Sequence, residues 1–173
     1  MAGDFGIPPT AASPVHSPLS HHKEVLIVQR PDPLAPAPTQ RPRRAVVAVT
    51  VREGRLLVIR RSQLVRAPGM YCFPGGGIEE GESETAALER ELLEELAVTV
   101  EPVRRLWQST TRWGVQLAWW LAKLPADAQL RPHPAEVESA HWLTPEELRN
   151  HPQVLPSNLE FLEALQIGKF ELD

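Results

Sequence analysis

Residues 76–98 read GGIEEGESETAALERELLEELAV, and the spacing within this stretch defines one helix and the work of its faces. Leu88, Leu92 and Leu96 recur every fourth residue, so a helix from about Ser83 to Leu96 would bury them together. Glu91, Glu94 and Glu95 stand at i, i+3 and i+4 and share a different face. Like charges at that spacing weaken a helix by a few tenths of a kcal/mol per pair, roughly. A hard divalent cation that takes oxygen ligands relieves this repulsion. Mg2+ suits it best, with Mn2+ as the alternative, because Mg2+ is usually held by a few carboxylates together with substrate phosphates. The helix is therefore expected to anchor its leucines in a core and turn its acids toward a cleft. Arg90 lies one turn before Glu94 and can pair with it or hold a neighbouring glutamate. Glu82 fits a helix-start acid favoured by the macrodipole as well as a supporting place near a metal. Ahead of the helix, Gly75 to Gly77 let the backbone approach an ion or a phosphate closely. Taken separately, the glycines read as a turn and the acids as a solvated face; their joint order points to catalysis.

Working outward, Ala45 to Val51 and Leu56 to Arg61 flank the turn-like Arg52-Glu53-Gly54-Arg55 and read as a β-hairpin. After the helix, strand-like segments recur at Val98 to Val103, Arg104 to Ser109, Gln116 to Leu124 and Val137 to Leu143. Thr144 precedes Pro145-Glu146-Glu147-Leu148, a capped helix start with proline in its first turn. A last helix is expected from Ser157 to Gln166, with Leu159, Phe161, Leu162 and Leu165 as its buried stripe and Ser157 or Asn158 as a cap. The sum is an α/β (α+β) fold with helices on a mixed sheet.

Nine of the eighteen prolines precede Arg43, so residues 1–43 read as a proline-rich arm and residues 44–173 as the folded domain. Within the arm, Glu24 to Gln29 is expected to add an edge strand to the domain or to pair with a second subunit as a homodimer. His21-His22 receives no role. The length of 173 residues suits one domain with a real core. A net charge of −4 argues against nucleic acid as a partner and leaves a small anionic substrate reached through a cation. No apolar run approaches the roughly 20 residues that span a bilayer, so no membrane partner is expected. Met1 to Thr10 lacks the pattern of a secretory signal, and Cys72 is the single cysteine, which together lead to an expectation of a cytoplasmic protein.

The stretch Gly76 to Val98 resembles the Nudix box, G-x5-E-x7-R-E-U-x-E-E-x-G-U, at Gly76, Glu82, Arg90, Glu91, Leu92, Glu94, Glu95 and Val98. Six fixed positions matching by chance is an event on the order of once in 10^7 starts. One position departs: the last glycine is Ala97. If position 97 ends the helix in a left-handed conformation, alanine there costs about 1–2 kcal/mol and removes no ligand. The resemblance implies an α/β/α sandwich whose catalytic helix follows a glycine-rich loop. It also implies hydrolysis of a nucleoside diphosphate linked to another moiety, with water attacking phosphorus in a Mg2+-dependent reaction. By the same resemblance, Arg90, Glu91, Glu94 and Glu95 are the catalytic candidates. Glu91, Glu94, Glu95, the Gly75 carbonyl and Glu136 are the metal candidates. Either Glu91 or Glu136 would serve as general base.

Substrate contacts are expected from Arg60, Arg61 and Arg66, whose guanidinium groups suit phosphate. Asn158 is the candidate for reading a base, as in MutT-like members of the family. Tyr71 and the tryptophans Trp107, Trp113, Trp119, Trp120 and Trp142 include candidate stacking partners amid core packing. Arg61 to Gly69 with Phe73 to Gly76 is also similar to a coenzyme A pyrophosphatase signature, with one residue too few between Arg66 and Gly69. Coenzyme A, ADP-ribose, nucleoside triphosphates and dinucleotide polyphosphates thus stay open. A non-catalytic nucleotide sensor on the same fold is the rival class, and intact charged positions weigh against it. An RNA-processing enzyme would need a basic groove, for which Arg41, Arg43 and Arg44 are the candidates.

Overall fold

The computed structural model describes residues 43–172. The expected strand at Glu24 to Gln29, its dimer role, the histidine pair and Arg41 lie outside the described residues. Seven strands and three helices follow in the order β1 (Arg44–Val49), β2 (Val51–Arg52), β3 (Arg55–Arg61), β4 (Tyr71–Cys72), α1 (Glu84–Leu96), β5 (Glu101–Thr110), β6 (Gln116–Lys123), β7 (Val137–Leu143), α2 (Pro145–Arg149) and α3 (Pro156–Gln166).

The expected hairpin is only partly realised. The turn forms, with Glu53 and Gly54 both at positive φ, and joins β2 to β3. β1, however, leaves at Thr50 and pairs in parallel with β6, which pairs antiparallel with β5. β3 lies between β7 on one side and β2 and β4 on the other. The two sheets are stitched by the glycine-rich segment: Ala48 N–H donates to the Pro74 carbonyl, Val46 N–H to Gly76 and Ile78 N–H to Arg44. The stretch expected as two strands, Val98–Val103 and Arg104–Ser109, is instead the single strand β5, with irregular register near Pro102 and Arg105.

Strand alternation sends side chains into two cores. Val46, Ala48, Leu57, Ile59 and Cys72 pack against Leu88, Leu92 and Leu96 of α1. Leu56, Val58, Leu117 and Trp119 pack against Leu148 of α2 and Phe161 and Leu162 of α3. Helices thus cover both faces of the sheet layer, giving the expected α/β/α sandwich. Thr144 caps α2 as expected, and the structure adds the reciprocal half of a capping box from Glu147. α3 differs: it starts at Pro156 on Leu155, with no side-chain cap, so neither Ser157 nor Asn158 caps it. Its buried face is Asn158, Phe161, Leu162 and Ala164, and Leu159 points outward because it lies about 100° round the helix from Asn158, off the i, i+3, i+4 stripe of Asn158, Phe161 and Leu162. Among the described residues no helix is long and apolar enough to cross a membrane.

Candidate active site

Ser83 accepts a hydrogen bond from Ala86 N–H and starts α1; Ala97 ends it at φ 54, ψ 38 in the left-handed region. The last carbonyls of the helix are taken up by the loop between β6 and β7, where Arg131 N–H donates to Leu96 and His133 N–H to Glu95. That loop carries Glu136, whose N–H donates to the His133 carbonyl and whose carbonyl accepts from Ser62 N–H. Ser62 is itself buried and donates its hydroxyl to the Ala135 carbonyl while accepting Leu64 N–H. The end of β3, the Glu136 turn and the end of α1 are therefore tied together. Sequence reasoning missed Ser62, because a serine beside a strand end carries no signal of a cross-loop partner.

The three acids expected to face a cleft are unequally exposed. Glu91 is 9% exposed and Glu95 4%; only Glu94 is exposed. Burial raises the pKa of Glu91, against the opposing pull of Arg90, while Glu94 and Glu136 add repulsion. Burial drives Glu95 further, to about 8, although Gly75 N–H donates to its carboxylate at 2.9 Å; the charges of Glu91 and Glu136 push the same way. Arg90 does more than pair along the helix. It grips Glu82 with Nε and Nη2 at 2.9 and 3.0 Å, Glu91 at 2.8 Å, Glu94 at 3.2 Å and the Gly77 carbonyl at 2.8 Å. These partners raise the Arg90 pKa, Glu82 most of all, and Arg90 in turn lowers that of Glu82. Glu82 thus holds Arg90, and Arg90 orders the acids.

Two glycines are required by close approach. A Cβ on Gly75, at φ +137, would land on the Val46 carbonyl oxygen, and a Cβ on Gly76 would overlap the Glu91 carboxylate. The Glu91 head is thus cradled directly against glycine backbone. As these side chains stand, no three His, Cys, Asp or Glu side chains among the described residues gather closely enough to hold an ion. The carboxylates share a face without closing on one point, since Arg90 draws Glu91 and Glu94 while Gly75 draws Glu95. The donor set nonetheless fits a hard cation. Every donor is oxygen, two of the carboxylates sit in dry, mutually repelling positions, and the cradle leaves no room for a side chain between them and the loop.

Beside the loop lies a cavity of about 320 Å³. Four arginines line it, Arg43, Arg61, Arg66 and Arg112, against one acid, Glu160. Gly75 and Gly76 form part of its wall, so the cavity opens beside the Glu91 and Glu95 loop contacts. Arg61 donates Nε to the Arg66 carbonyl at 2.8 Å, joining both arginines to this end. Arg60 does not line the cavity: it pairs with Glu138 because successive residues of β3 face opposite sides. Asn158 does line it, and its Oδ1 accepts from Phe73 N–H at 2.9 Å, which leaves the amide NH2 with only a 3.5 Å contact to Ser157. Arg112 was not expected there. Its signal is the Arg112-Trp113-Gly114 turn between two strands, which places it at a hairpin tip.

A model of the NUDIX domain matches residues 39–165. The CTP pyrophosphohydrolase of Escherichia coli (strain K12) is 32% identical over 123 residues, covering 69% of this chain and 87% of that protein. The NAD-capped RNA hydrolase NudC of Chromobacterium violaceum is 34% identical over 96 residues, 54% of this chain but only 35% of that protein. The MutT NUDIX hydrolase of Burkholderia pseudomallei superposes with a TM-score of 0.63 at 25% identity, covering 72% of this chain and 98% of that one. With the domain match spanning most of the sequence and the charged positions of the box assembled around one helix, the chain belongs to the Nudix hydrolase family.

Proposed function

We propose that this protein hydrolyses the phosphoanhydride of a small nucleotide, a nucleoside diphosphate linked to another group, with Mg2+ or Mn2+ as cofactor. The observation that carries the reading is the junction of two environments. An arginine-lined cavity meets, at Gly75 and Gly76, a helix face bearing Glu91, Glu94 and Glu95.

Glu91, Glu94, Glu95 and the Gly75 carbonyl would hold the cation, with Glu136 as a further ligand. When bound, such a cation neutralises phosphate oxygens and eases deprotonation of water. The chain's own groups do the rest. Arg61 and Arg66 bind and orient phosphates at the end of the cavity nearest the carboxylates. Asn158 offers its amide NH2 to a base, because its oxygen is engaged by Phe73. Arg90, fixed by Glu82, keeps Glu91 and Glu94 in register. A general base must sit within reach of the attacking water; Glu91 is the first choice, with Glu136 tied to the same site from the opposite loop. The domain of residues 44–173 carries this chemistry, with Arg43, the last residue of the proline-rich arm, added at the cavity wall.

The test is product analysis. The purified chain is incubated with a panel containing nucleoside triphosphates, ADP-ribose, a dinucleotide polyphosphate and coenzyme A, with Mg2+, with Mn2+ and with chelator. Metal-dependent release of a nucleoside monophosphate or of a phosphorylated remainder is expected from at least one compound. Nucleotide binding with no cleavage of any compound would overturn the hydrolase reading in favour of a sensor.

A further inference from the structure

The tryptophans of this chain are not equivalent. Trp119 is fully buried, stacks on Phe161 at 4.6 Å and donates Nε1 to Ser109. Trp107 packs on Trp119 and Phe170, Trp120 donates Nε1 to Glu84, and Trp142 lies under the Arg52 guanidinium. These four are committed to packing or to the sheet surface. Trp113 sits at the tip of the β5–β6 hairpin, half-buried, and with Trp119 lines the arginine-lined cavity.

The tip is a built turn. Thr111 N–H donates to the Val115 carbonyl, its hydroxyl accepts from Val115 N–H, its carbonyl accepts from Gly114 N–H, and Gly114 takes φ +75. The Arg112 guanidinium lies over the Trp113 ring at 4.3 Å, close enough for cation–π attraction to hold the two as a unit. Phe73 and Trp119, both buried and fixed in the core, line the same cavity. A flat, wide π surface with a cation on it, in a cavity also lined by aromatic side chains, is suited to a nucleobase, whose faces stack on indole without regard to sequence.

We infer that Trp113, held by Arg112, is a specificity-determining residue that stacks on the base of the nucleotide. The hairpin tip is then the element by which the site demands a nucleobase in addition to a polyphosphate. The inference rests on the nucleotide-hydrolase reading above and deepens it.

Calorimetric binding of the nucleoside monophosphates AMP, GMP, CMP and UMP and of inorganic phosphate, alongside hydrolysis kinetics on the substrate found by the panel, tests it in wild type, Trp113→Ala and Trp113→Phe. Trp113→Ala is expected to weaken monophosphate binding about tenfold or more, the usual effect of removing one base-stacking aromatic. It should leave phosphate binding unchanged and raise KM more than it lowers kcat. Trp113→Phe should recover most of the loss, because it keeps a π face. Equal nucleotide affinity in wild type and Trp113→Ala overturns the inference and leaves the hydrolase reading standing. Parallel loss of phosphate binding also overturns it, by showing a collapsed loop in place of a lost stack. A wild type that binds and cleaves no nucleotide overturns both.

Discussion

Neighbouring glycines at the loop do different work, and the difference can be measured. Gly75 cannot accept a side chain without moving the backbone of β1, and its φ of +137 is a conformation that L residues avoid. Gly75→Ala is expected to destabilise the fold by about 2 kcal/mol or more, read as a lower midpoint in urea unfolding. Gly76 meets only the far end of the Glu91 side chain, which can swing away. Gly76→Ala should therefore unfold near the wild-type midpoint while losing metal-dependent cleavage, because Glu91 no longer reaches its cradle. Equal effects of the two variants on stability would contradict this division. Cys72 offers a second residue-scale check. Burial pushes its thiol up to about 11, so a thiolate-seeking reagent at pH 8 should leave it unmodified until the chain is unfolded. Both glycine roles were only half legible in sequence: the spacing marks a close approach but cannot say which group approaches.

At the scale of elements, the two helix ends that the sequence predicted well are those with local chemistry. Thr144 and Glu147 cap α2 reciprocally, and Ser83 caps α1. Thr144→Ala is expected to cost about 1 kcal/mol in chemical denaturation. The Glu147 carboxyl lies below its ordinary range, first because Thr144 N–H donates to it and also because Arg55 faces it. A lowered carboxylate contributes stability above its unfolded pKa, and that contribution fades as pH falls through the folded value. The gap in melting temperature between wild type and Glu147→Gln should thus be open near neutrality and close below about pH 4. Ala97 takes the left-handed conformation that its family position calls for, so Ala97→Gly should raise stability by about 1 kcal/mol with activity unchanged. A clear loss of both would show that the helix does not end at Ala97. What local chemistry could not reveal is partnership. β1 looks like one arm of a hairpin with β3, yet its parallel pairing with β6 links residues some seventy positions apart. The start of α3 shifted for a related reason, since Pro156 fixes the first turn and Leu155 replaces the polar cap that Ser157 and Asn158 suggested.

For the molecule as a whole, chemistry was legible because the box is contiguous and lies on one helix with its loop. The cavity was not, because its walls come from β1, the β3–β4 loop, the β5–β6 hairpin and the start of α3, which only tertiary pairing brings together. Arg61, Arg66 and Asn158, candidates from the sequence, line the cavity and Arg60 pairs with Glu138 away from it, whereas Arg112 and Ser62 needed the fold. The proposed function puts the cleavage on α1, whose carboxylates would act with a divalent cation. The direct measurement is the rate of Mg2+-dependent product release by Glu94→Gln/Glu95→Gln against wild type, with circular dichroism confirming that both are folded. A folded double variant slower by at least about a hundredfold is the predicted result. A folded variant that cleaves at the wild-type rate would contradict the account.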